Sequence, residues 1–140
     1  MPEPHVLHAT TVAWHGRACL IRGASGTGKS ALALQLMGYG AGLVADDRTI
    51  LTESDAGLVA SCPEPLRGLI EARSVGLLNA DPHPPCPVVL VVDLDRQETE
   101  RLPPRRTADL LGHALPLVHD TGTGAFAASI LQYLKAGRRE

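Results

Sequence analysis

The segment with the most specific chemistry is an eight-residue run between an apolar stretch and a helix-forming one. Its residues match GxxxxGK[ST] at every fixed position and are Gly23, Ala24, Ser25, Gly26, Thr27, Gly28, Lys29 and Ser30. Glycines let successive backbone N–H groups face phosphate oxygens, and the N-terminus of the following helix favours an anion. Lys29 would reach the β- and γ-phosphates, and Ser30 would offer its hydroxyl to Mg²⁺. The run therefore predicts a nucleotide phosphate-binding loop, or P-loop, in which all eight residues take part.

A P-loop also needs an acidic partner at the end of a neighbouring apolar strand, and two candidates exist. Asp46 and Asp47 follow one short apolar stretch, and Asp93 and Asp95 follow another. By pattern alone Asp93 is the usual P-loop acid. The adjacent pair is the more unusual feature, since neighbouring carboxylates repel; near a phosphate one can bind metal while the other accepts a proton. The plainer alternatives are a solvated turn for the first pair and a strand-end cap for the second.

The elements around these residues predict an α/β fold with a mixed sheet, because several hairpins interrupt the alternation of strands and helices. Strands are predicted at Val6–Trp14, Ala18–Arg22, Leu43–Ala45, Thr49–Glu53, Leu58–Ser61, Val88–Leu94 and Leu115–Val118, and helices at Lys29–Met37 and Ala125–Ala136. We expect a helical or irregular segment at Leu66–Ala72. Ala80–Pro87 contains four prolines and is expected to be a loop, and Arg96–Arg106 is expected to be irregular.

Length and charge limit the function classes. A chain of 140 residues fits one domain, predicted over residues 1–140. The net charge of −2, from 13 basic and 15 acidic residues, gives no attraction toward nucleic acid or membrane. The N-terminus has no basic stretch followed by an apolar run, and the longest apolar run is too short to span a bilayer. We therefore expect a cytoplasmic protein without nucleic-acid or membrane partners.

Three blocks in order resemble the C-terminal domain of HPr kinase/phosphorylase, whose fold is also similar to the nucleotide site of phosphoenolpyruvate carboxykinase. The first block is Gly23–Ser30, followed closely by Leu43-Val44-Ala45-Asp46-Asp47-Arg48. Upstream of this block lies the second, His8, which is fifteen residues before Gly23, where the family carries a histidine. The third is Cys62-Pro63-Glu64 and then Leu69–Asn79, which is similar to the family signature of Glu, Arg and Gly before an apolar pair and Asn. Together they cover about residues 6–80.

The resemblance implies an acid–base group and a metal site. Asp46 and Asp47 would supply the base that takes the proton from a target serine and the acid for the reverse step. His8 would support that pair. Ser30 and Glu71 would contribute to binding Mg²⁺.

The resemblance also implies a single P-loop kinase domain that transfers phosphate from ATP to a serine of HPr, or of an HPr-like phosphocarrier. Lys29 would stabilise the transferring phosphoryl group, and Arg73 and Arg101 are candidates for a phosphate clamp. The family forms hexamers through this domain, so a homo-oligomer is expected.

The sequence departs from the family in several places. We expect the N-terminal domain to be absent, because the chain starts about where the second domain of the family starts. Ala24 stands where the family usually has Asp, and Ser74 stands where it has Gly. Ala80–Pro87 replaces a longer segment, and Asp120–Gly124 occupies the region of an unrecognisable Arg-Pro-Gly-Arg element associated with dephosphorylation. Kinase activity is therefore expected, with at most weak reverse phosphorylase activity.

Two other functions stay open on the residues. A small-molecule kinase on the same scaffold would need a lid or a small-substrate domain, and no obvious one is present. A non-catalytic nucleotide-binding regulator would not need to keep a base beside the phosphate, whereas Asp46 and Asp47 are both intact.

Overall fold

The computed structural model describes residues 4–140, so the first three residues of the predicted domain lie outside the described part. Eleven strands and two helices follow one another along this part of the chain: β1 His5–Leu7, β2 Thr10–Trp14, β3 Arg17–Arg22, α1 Lys29–Gly38, β4 Gly42–Ala45, β5 Thr49–Ser54, β6 Gly57–Ser61, β7 Leu69–Ala72, β8 Gly76–Asn79, β9 Cys86–Gln97, β10 Arg106–Leu110, β11 His113–Asp120 and α2 Phe126–Ala136. A short 3₁₀ turn covers Glu64–Leu66. The predicted α/β class with a mixed sheet is confirmed.

Strand β9 is the centre of the main sheet. Strands β3 and β11 run parallel to it on either side, with Leu20 opposite Val91 and Leu117 opposite the same residue. The sheet order is β1-β5-β6-β9-β3-β2-β4, and β10 extends it beyond β11 in an antiparallel pair. Strand β9 also pairs antiparallel with β6 through its first two residues, so a single long strand joins both halves of the curled sheet.

Two apolar clusters lie on opposite faces of this sheet because side chains alternate along each strand. On β3, Cys19 and Ile21 pack with the two helices, and Ala18 and Leu20 pack on the other face with β5 and β6. Helix α1 buries Leu32, Ala33 and Leu36 at helical spacing toward the first cluster, and its first residue, Lys29, is buried as well. Within residues 4–140, neither helix is long and apolar enough to cross a bilayer.

Two strands break at the same level, which brings two loop residues together. The predicted strand Val6–Trp14 is interrupted at His8 into β1 and β2, and β4 and β5 are separated at Asp47. Each break is a three-residue turn, closed by a backbone N–H···O=C hydrogen bond of 3.0 Å around His8 and of 2.7 Å around Asp47. Since β1 pairs with β5 and β2 pairs with β4, both antiparallel, the two turns face each other.

Other differences from the predicted elements have a common cause in long-range pairing. The Leu66–Ala72 segment contains β7, which pairs with the unpredicted β8 in a separate two-stranded hairpin. The polar stretch at Arg96–Arg106 begins inside β9, which runs to Gln97, and the unpredicted β10 starts at its last residue. The predicted loop Ala80–Pro87 gives its last two residues to β9, where a proline is tolerated near the start of a strand.

The connection between β9 and β10 is held by Glu98. Its carboxylate accepts two hydrogen bonds from the Arg106 guanidinium, at 3.1 and 3.0 Å, and one each from the backbone N–H groups of Thr99 and Glu100. The hydrogen bonds from Arg106, together with those from the backbone, lower the pKa of Glu98 to about 2. A carboxyl whose pKa is lower in the folded than in the unfolded protein stabilises the fold above its unfolded pKa, and this contribution is lost as the pH falls toward 2.

We therefore expect Glu98→Gln to lower the free energy of unfolding at pH 7, and the difference from wild type to shrink as the pH falls from about 5 toward 2. Denaturant unfolding across this pH range measures it. Glu100→Gln is the matched control, because Glu100 lies 3.6 Å from the same guanidinium but its side chain is 58% exposed, and exposed pairs contribute little. Equal losses in both variants, or a pH-independent loss in Glu98→Gln, would contradict the assignment.

Candidate functional site

A cavity of about 740 Å³ opens where the P-loop, the start of α1, the two facing strand breaks and the β7–β8 hairpin meet. Most of the residues singled out in the sequence line it. The lining residues are His8, Thr10, Ser25, Gly26, Gly28, Lys29, Ser30, Ala31, Leu34, Asp47, Glu71, Ala72, Arg73 and Val75.

The loop before α1 has the backbone that a phosphate cradle requires. Gly26 and Gly28 have φ of 84° and 99°, in the left-handed region that favours glycine. At Gly23 a Cβ would lie 2.6 Å from Thr27 Oγ1, so a side chain there would displace the loop. Ser25, Gly26 and Gly28 line the cavity beside the first turn of α1, whose leading N–H groups have no partner within the helix. The loop is therefore suited to bind an anion.

Lys29 lies inside this loop. It is 7% exposed, and its Nζ donates hydrogen bonds to the carbonyl oxygens of Gly23 (2.8 Å) and Ala24 (3.1 Å). The Ala24 carbonyl also accepts from the side chain and the backbone N–H of Thr27. The loop thus folds around the ammonium group, which keeps a positive charge within the phosphate cradle.

Asp46 connects three elements of the site. Its Oδ1 accepts hydrogen bonds from Ser30 Oγ at 2.7 Å and Thr10 Oγ1 at 3.0 Å, and its Oδ2 accepts one from the backbone N–H of Glu71 at 3.0 Å. The residue is 8% exposed. A buried carboxylate needs such donors, and here they come from α1, β2 and β7. Asp46 therefore fixes the positions of these elements relative to one another.

Asp47, its neighbour, is placed very differently. Its side chain is 59% exposed and its Oδ1 contacts Nε2 of His8, whose side chain is 56% exposed. Its φ of 68° lies in the left-handed region, which costs energy for a residue with a side chain and occurs preferentially at functional sites. Thr10 helps to hold the backbone of Asp47 in this conformation, since the backbone N–H of Asp47 donates a hydrogen bond to Thr10 Oγ1 at 3.2 Å. The adjacent aspartates thus divide into a buried, fully bonded carboxylate and an accessible one.

The β7–β8 hairpin brings two further predicted residues to the cavity. Glu71 and Arg73 both line it, and the Val75 N–H donates to the Ala72 carbonyl at 2.9 Å to close the turn between the strands. Ser74 has a φ of 67°. The sequence places it where the family usually has Gly, and the left-handed conformation explains why Gly would be favoured at this position.

The second pair of acids belongs to the structure of the loop rather than to the cavity. Asp93 accepts a hydrogen bond from Arg22 Nε at 3.3 Å and one from the backbone N–H of Asp95 at 2.8 Å. Asp95 accepts a hydrogen bond at 2.9 Å from the N–H of Ala24, within the P-loop. Neither acid is among the lining residues of the described chain. The strand-end cap is thus the better interpretation of Asp93 and Asp95, and Asp46 occupies the place beside Ser30.

Three of the P-loop residues predicted to bind nucleotide, and one arginine, do not line the cavity. Gly23, Ala24 and Thr27 instead hold the loop through the contacts above. Arg101 is exposed in the connection between β9 and β10 and is not part of the lining. Sequence reasoning missed Thr10, which touches both aspartates; a polar residue that begins an apolar, β-branched strand was the available signal.

The donor set fits Mg²⁺. Ser30 Oγ contacts the Asp46 carboxylate, Asp47 and Glu71 line the same cavity as Ser30, and oxygen is the ligand that Mg²⁺ prefers. Within residues 4–140, no group of three or more His, Cys, Asp or Glu side chains could hold an ion by itself. Mg²⁺ in nucleotide sites usually takes one or two carboxylates and completes its shell with substrate phosphates and waters.

Known proteins resemble this chain in both sequence and fold. The HPr kinase/phosphorylase of Bordetella pertussis is 48% identical over 65 residues, which are 46% of this chain and 21% of that protein. That of Clostridium botulinum Eklund 17B is 40% identical over 73 residues, which are 52% of this chain and 24% of that protein. The matched segment therefore spans about a fifth to a quarter of these relatives.

The solved HPr(Ser) kinase/phosphatase of Coxiella burnetii has the same fold. The TM-score is 0.78 at 23% sequence identity, and the alignment covers 94% of this chain and 88% of that one. The HPr Serine kinase C-terminal domain family matches residues 1–83, which are more than half of the 140 residues and include the P-loop, both aspartates and the β7–β8 hairpin. The chain therefore belongs to the HPr Serine kinase C-terminal domain family.

Proposed function

We propose that the protein is an ATP-dependent protein-serine kinase that acts on HPr or an HPr-like phosphocarrier. The observation that carries this proposal is the difference between the environments of the two adjacent aspartates beside the P-loop. Asp46 is buried and bonded to the P-loop serine, and Asp47 is exposed beside His8. The relatives from Bordetella and Clostridium are HPr kinase/phosphorylases by name, which supports HPr as the acceptor.

The residues divide the reaction between binding and proton transfer. The P-loop N–H groups and Lys29 bind the triphosphate and stabilise the negative charge on the transferring phosphoryl group. Asp47 accepts the proton of the serine hydroxyl as the serine oxygen bonds to the γ-phosphorus and the bond from that phosphorus to the β-phosphate oxygen breaks. His8 is a positioning residue that orients Asp47. The leaving group is ADP.

Mg²⁺ fits the site through Ser30, Asp46 and Glu71 and, when bound, supplies positive charge to the phosphates. The hydroxyl of Ser30 donates to Asp46 and so keeps its lone pairs available for a cation. Arg73 lines the cavity and is the nearer candidate for a phosphate clamp, and Arg101 would need a movement of the β9–β10 connection to reach it.

The exposure of the acid–base pair favours a macromolecular acceptor over a free small molecule. The Asp47 and His8 side chains are more than half exposed, so a serine carried on the surface of a folded protein can reach them. We place the protein in the cytoplasm, as a homo-oligomer, with weak reverse phosphorylase activity at most. Nucleic acid and membrane are not proposed partners.

Incubation of the purified protein with labelled ATP and HPr, and separately with serine and other small hydroxyl compounds, tests the proposal. Label on the serine of HPr is the expected result. Label on a small hydroxyl compound alone would assign a small-molecule kinase. Nucleotide binding without any transfer would indicate a regulator.

Lys29→Ala should weaken ATP binding and abolish transfer, because the cation within the phosphate cradle is lost. Lys29→Arg keeps the charge but not the compact ammonium that fits between the Gly23 and Ala24 carbonyls, so it should retain more binding than activity. Calorimetry and single-turnover assays measure the two effects. Normal turnover by Lys29→Ala would remove the P-loop from the mechanism.

The two aspartates should respond differently to the same substitution. Asp47→Asn should keep ATP affinity within about tenfold and reduce transfer by about 10²-fold or more, as expected for a lost general base. Its stability should change little, since Asn tolerates a positive φ. Asp46→Asn replaces one of the two accepting oxygens with an NH2 donor, so the hydrogen bonds from Ser30, Thr10 and Glu71 cannot all persist; it should cost about 1–3 kcal/mol of unfolding free energy and raise the Mg²⁺ requirement.

Single-turnover transfer, ATP affinity and denaturant unfolding of both variants test this difference. Transfer near the wild-type rate in Asp47→Asn would assign the base to another residue. Unchanged stability of Asp46→Asn would show that its hydrogen bonds do not hold the three elements together.

Glu71→Gln should raise the Mg²⁺ concentration at half-maximal transfer by several-fold, because an anionic oxygen donor is lost. The bond to Asp46 should survive, since it uses the backbone N–H of Glu71 and not its side chain. Glu64→Gln is the matched control, as Glu64 is exposed in the 3₁₀ turn away from this cavity. A Mg²⁺ titration of transfer identical for wild type and Glu71→Gln would refute the placement.

A further inference from the structure

Part of the cavity lining is aliphatic and is used by none of the steps above. Ala31 and Leu34 line it from α1, on the stripe next to the buried face of that helix. Val75 lines it from the tip of the β7–β8 hairpin, where its side chain is not part of either apolar cluster and the residue is 74% exposed. A β-branched apolar side chain is thus presented to the open side of a site whose other functional groups are polar.

The geometry points to this aliphatic slot between α1 and the hairpin tip as the nucleobase subsite, with Val75 as its outer wall. The inference rests on the proposed function only in taking the P-loop ligand to be a nucleoside triphosphate. It adds the place and the chemistry that receive the nucleoside.

The position of the phosphates leaves this direction for the nucleoside. In the proposed reaction the serine approaches the γ-phosphate beside the Asp47–His8 contact. The β- and α-phosphates and the nucleoside then extend away from that contact. Along α1, Ala31 follows Ser30 directly and Leu34 is four residues, or about 6 Å, further from the phosphate cradle. Ala31 and Leu34 are therefore the first aliphatic side chains that α1 contributes to the cavity beyond the phosphate cradle.

The hairpin holds its side of the slot in a defined position. The Ala72–Val75 hydrogen bond closes the turn, the backbone N–H of Glu71 is fixed to Asp46, and Ile70 of β7 is buried with the residues of α1. The backbone that carries Val75 is therefore held in place relative to α1. The flat faces of purine rings are apolar, and contact with aliphatic side chains removes both surfaces from water.

The chemistry of the slot also predicts that it discriminates little between nucleobases. Its side chains are those of Ala31, Leu34 and Val75, which have no hydrogen-bonding atoms. A site that rejects a related base strongly does so by leaving its own polar groups unpaired. Adenine and guanine nucleotides should therefore bind with affinities within about tenfold of each other, since apolar contact discriminates only weakly.

The test compares Val75→Ser with Leu77→Ser in the full chain. Leu77 is the matched control, because it lies on the same hairpin, is 67% exposed and does not line the cavity. Calorimetry measures the binding of ATP, GTP and inorganic tripolyphosphate, each with Mg²⁺, to wild type and both variants. Transfer from ATP to HPr is measured separately.

We expect Val75→Ser to weaken the binding of ATP and GTP by about five- to tenfold, the scale of a lost aliphatic contact, and to leave tripolyphosphate within about twofold. Leu77→Ser should match wild type for all three ligands. Unchanged nucleotide binding in Val75→Ser would overturn the subsite. An equal loss for tripolyphosphate would overturn it too, because Val75 would then act on the phosphate cradle. A preference of wild type for ATP over GTP above about 100-fold would overturn the aliphatic recognition.

These outcomes are separate from those of the proposed function. Nucleotide affinities that depend on Val75, with no transfer to HPr, would support the subsite and refute the kinase. Transfer to HPr, with nucleotide affinities independent of Val75, would support the kinase and refute the subsite.

Discussion

The carboxylate of Asp46 is the interaction on which the rest of the site depends. Its two oxygens receive hydrogen bonds from the start of α1, from β2 and from the backbone of β7, and these three elements are far apart in the chain. A buried carboxylate without donors would be strongly destabilising, so the site is stable only when all three are in place. Asp46, which is proposed to assist a metal, is therefore also the residue that holds together the elements around the cavity.

The paired strand breaks solve a second problem, which is how to keep one carboxylate accessible beside a buried one. Consecutive side chains of a strand point to opposite faces, so a regular strand would place Asp47 away from Asp46 and away from the cavity. The turn at Asp47, and the matching turn at His8 on the antiparallel neighbour, direct both side chains toward the mouth. Thr10 links the two arrangements, since it donates to Asp46 and accepts from the N–H of Asp47.

Sequence alone predicted the features whose cause is local. The P-loop follows from glycine positions and a helix start, and the two helices follow from their apolar spacing. The sequence predicted that the two aspartates differ, but not which of Asp46 and Asp47 is buried, because their environments are set by partners 16 to 39 residues away. Strands β8 and β10 were missed for the same reason, since each is defined by its pairing. Asp93 looked like a metal ligand until the neighbouring strand supplied Arg22 as its partner.

The backbone at Asp47 has a consequence for how this protein can change. The φ of 68° at Asp47 lies in the left-handed region, which glycine adopts without steric cost. Stability by itself therefore favours replacement of Asp47 by glycine. Libraries selected only for thermal resistance should enrich that exchange and lose the proposed acid–base group with it. Retention of Asp47 among stabilised variants would therefore indicate that activity, and not stability alone, was under selection.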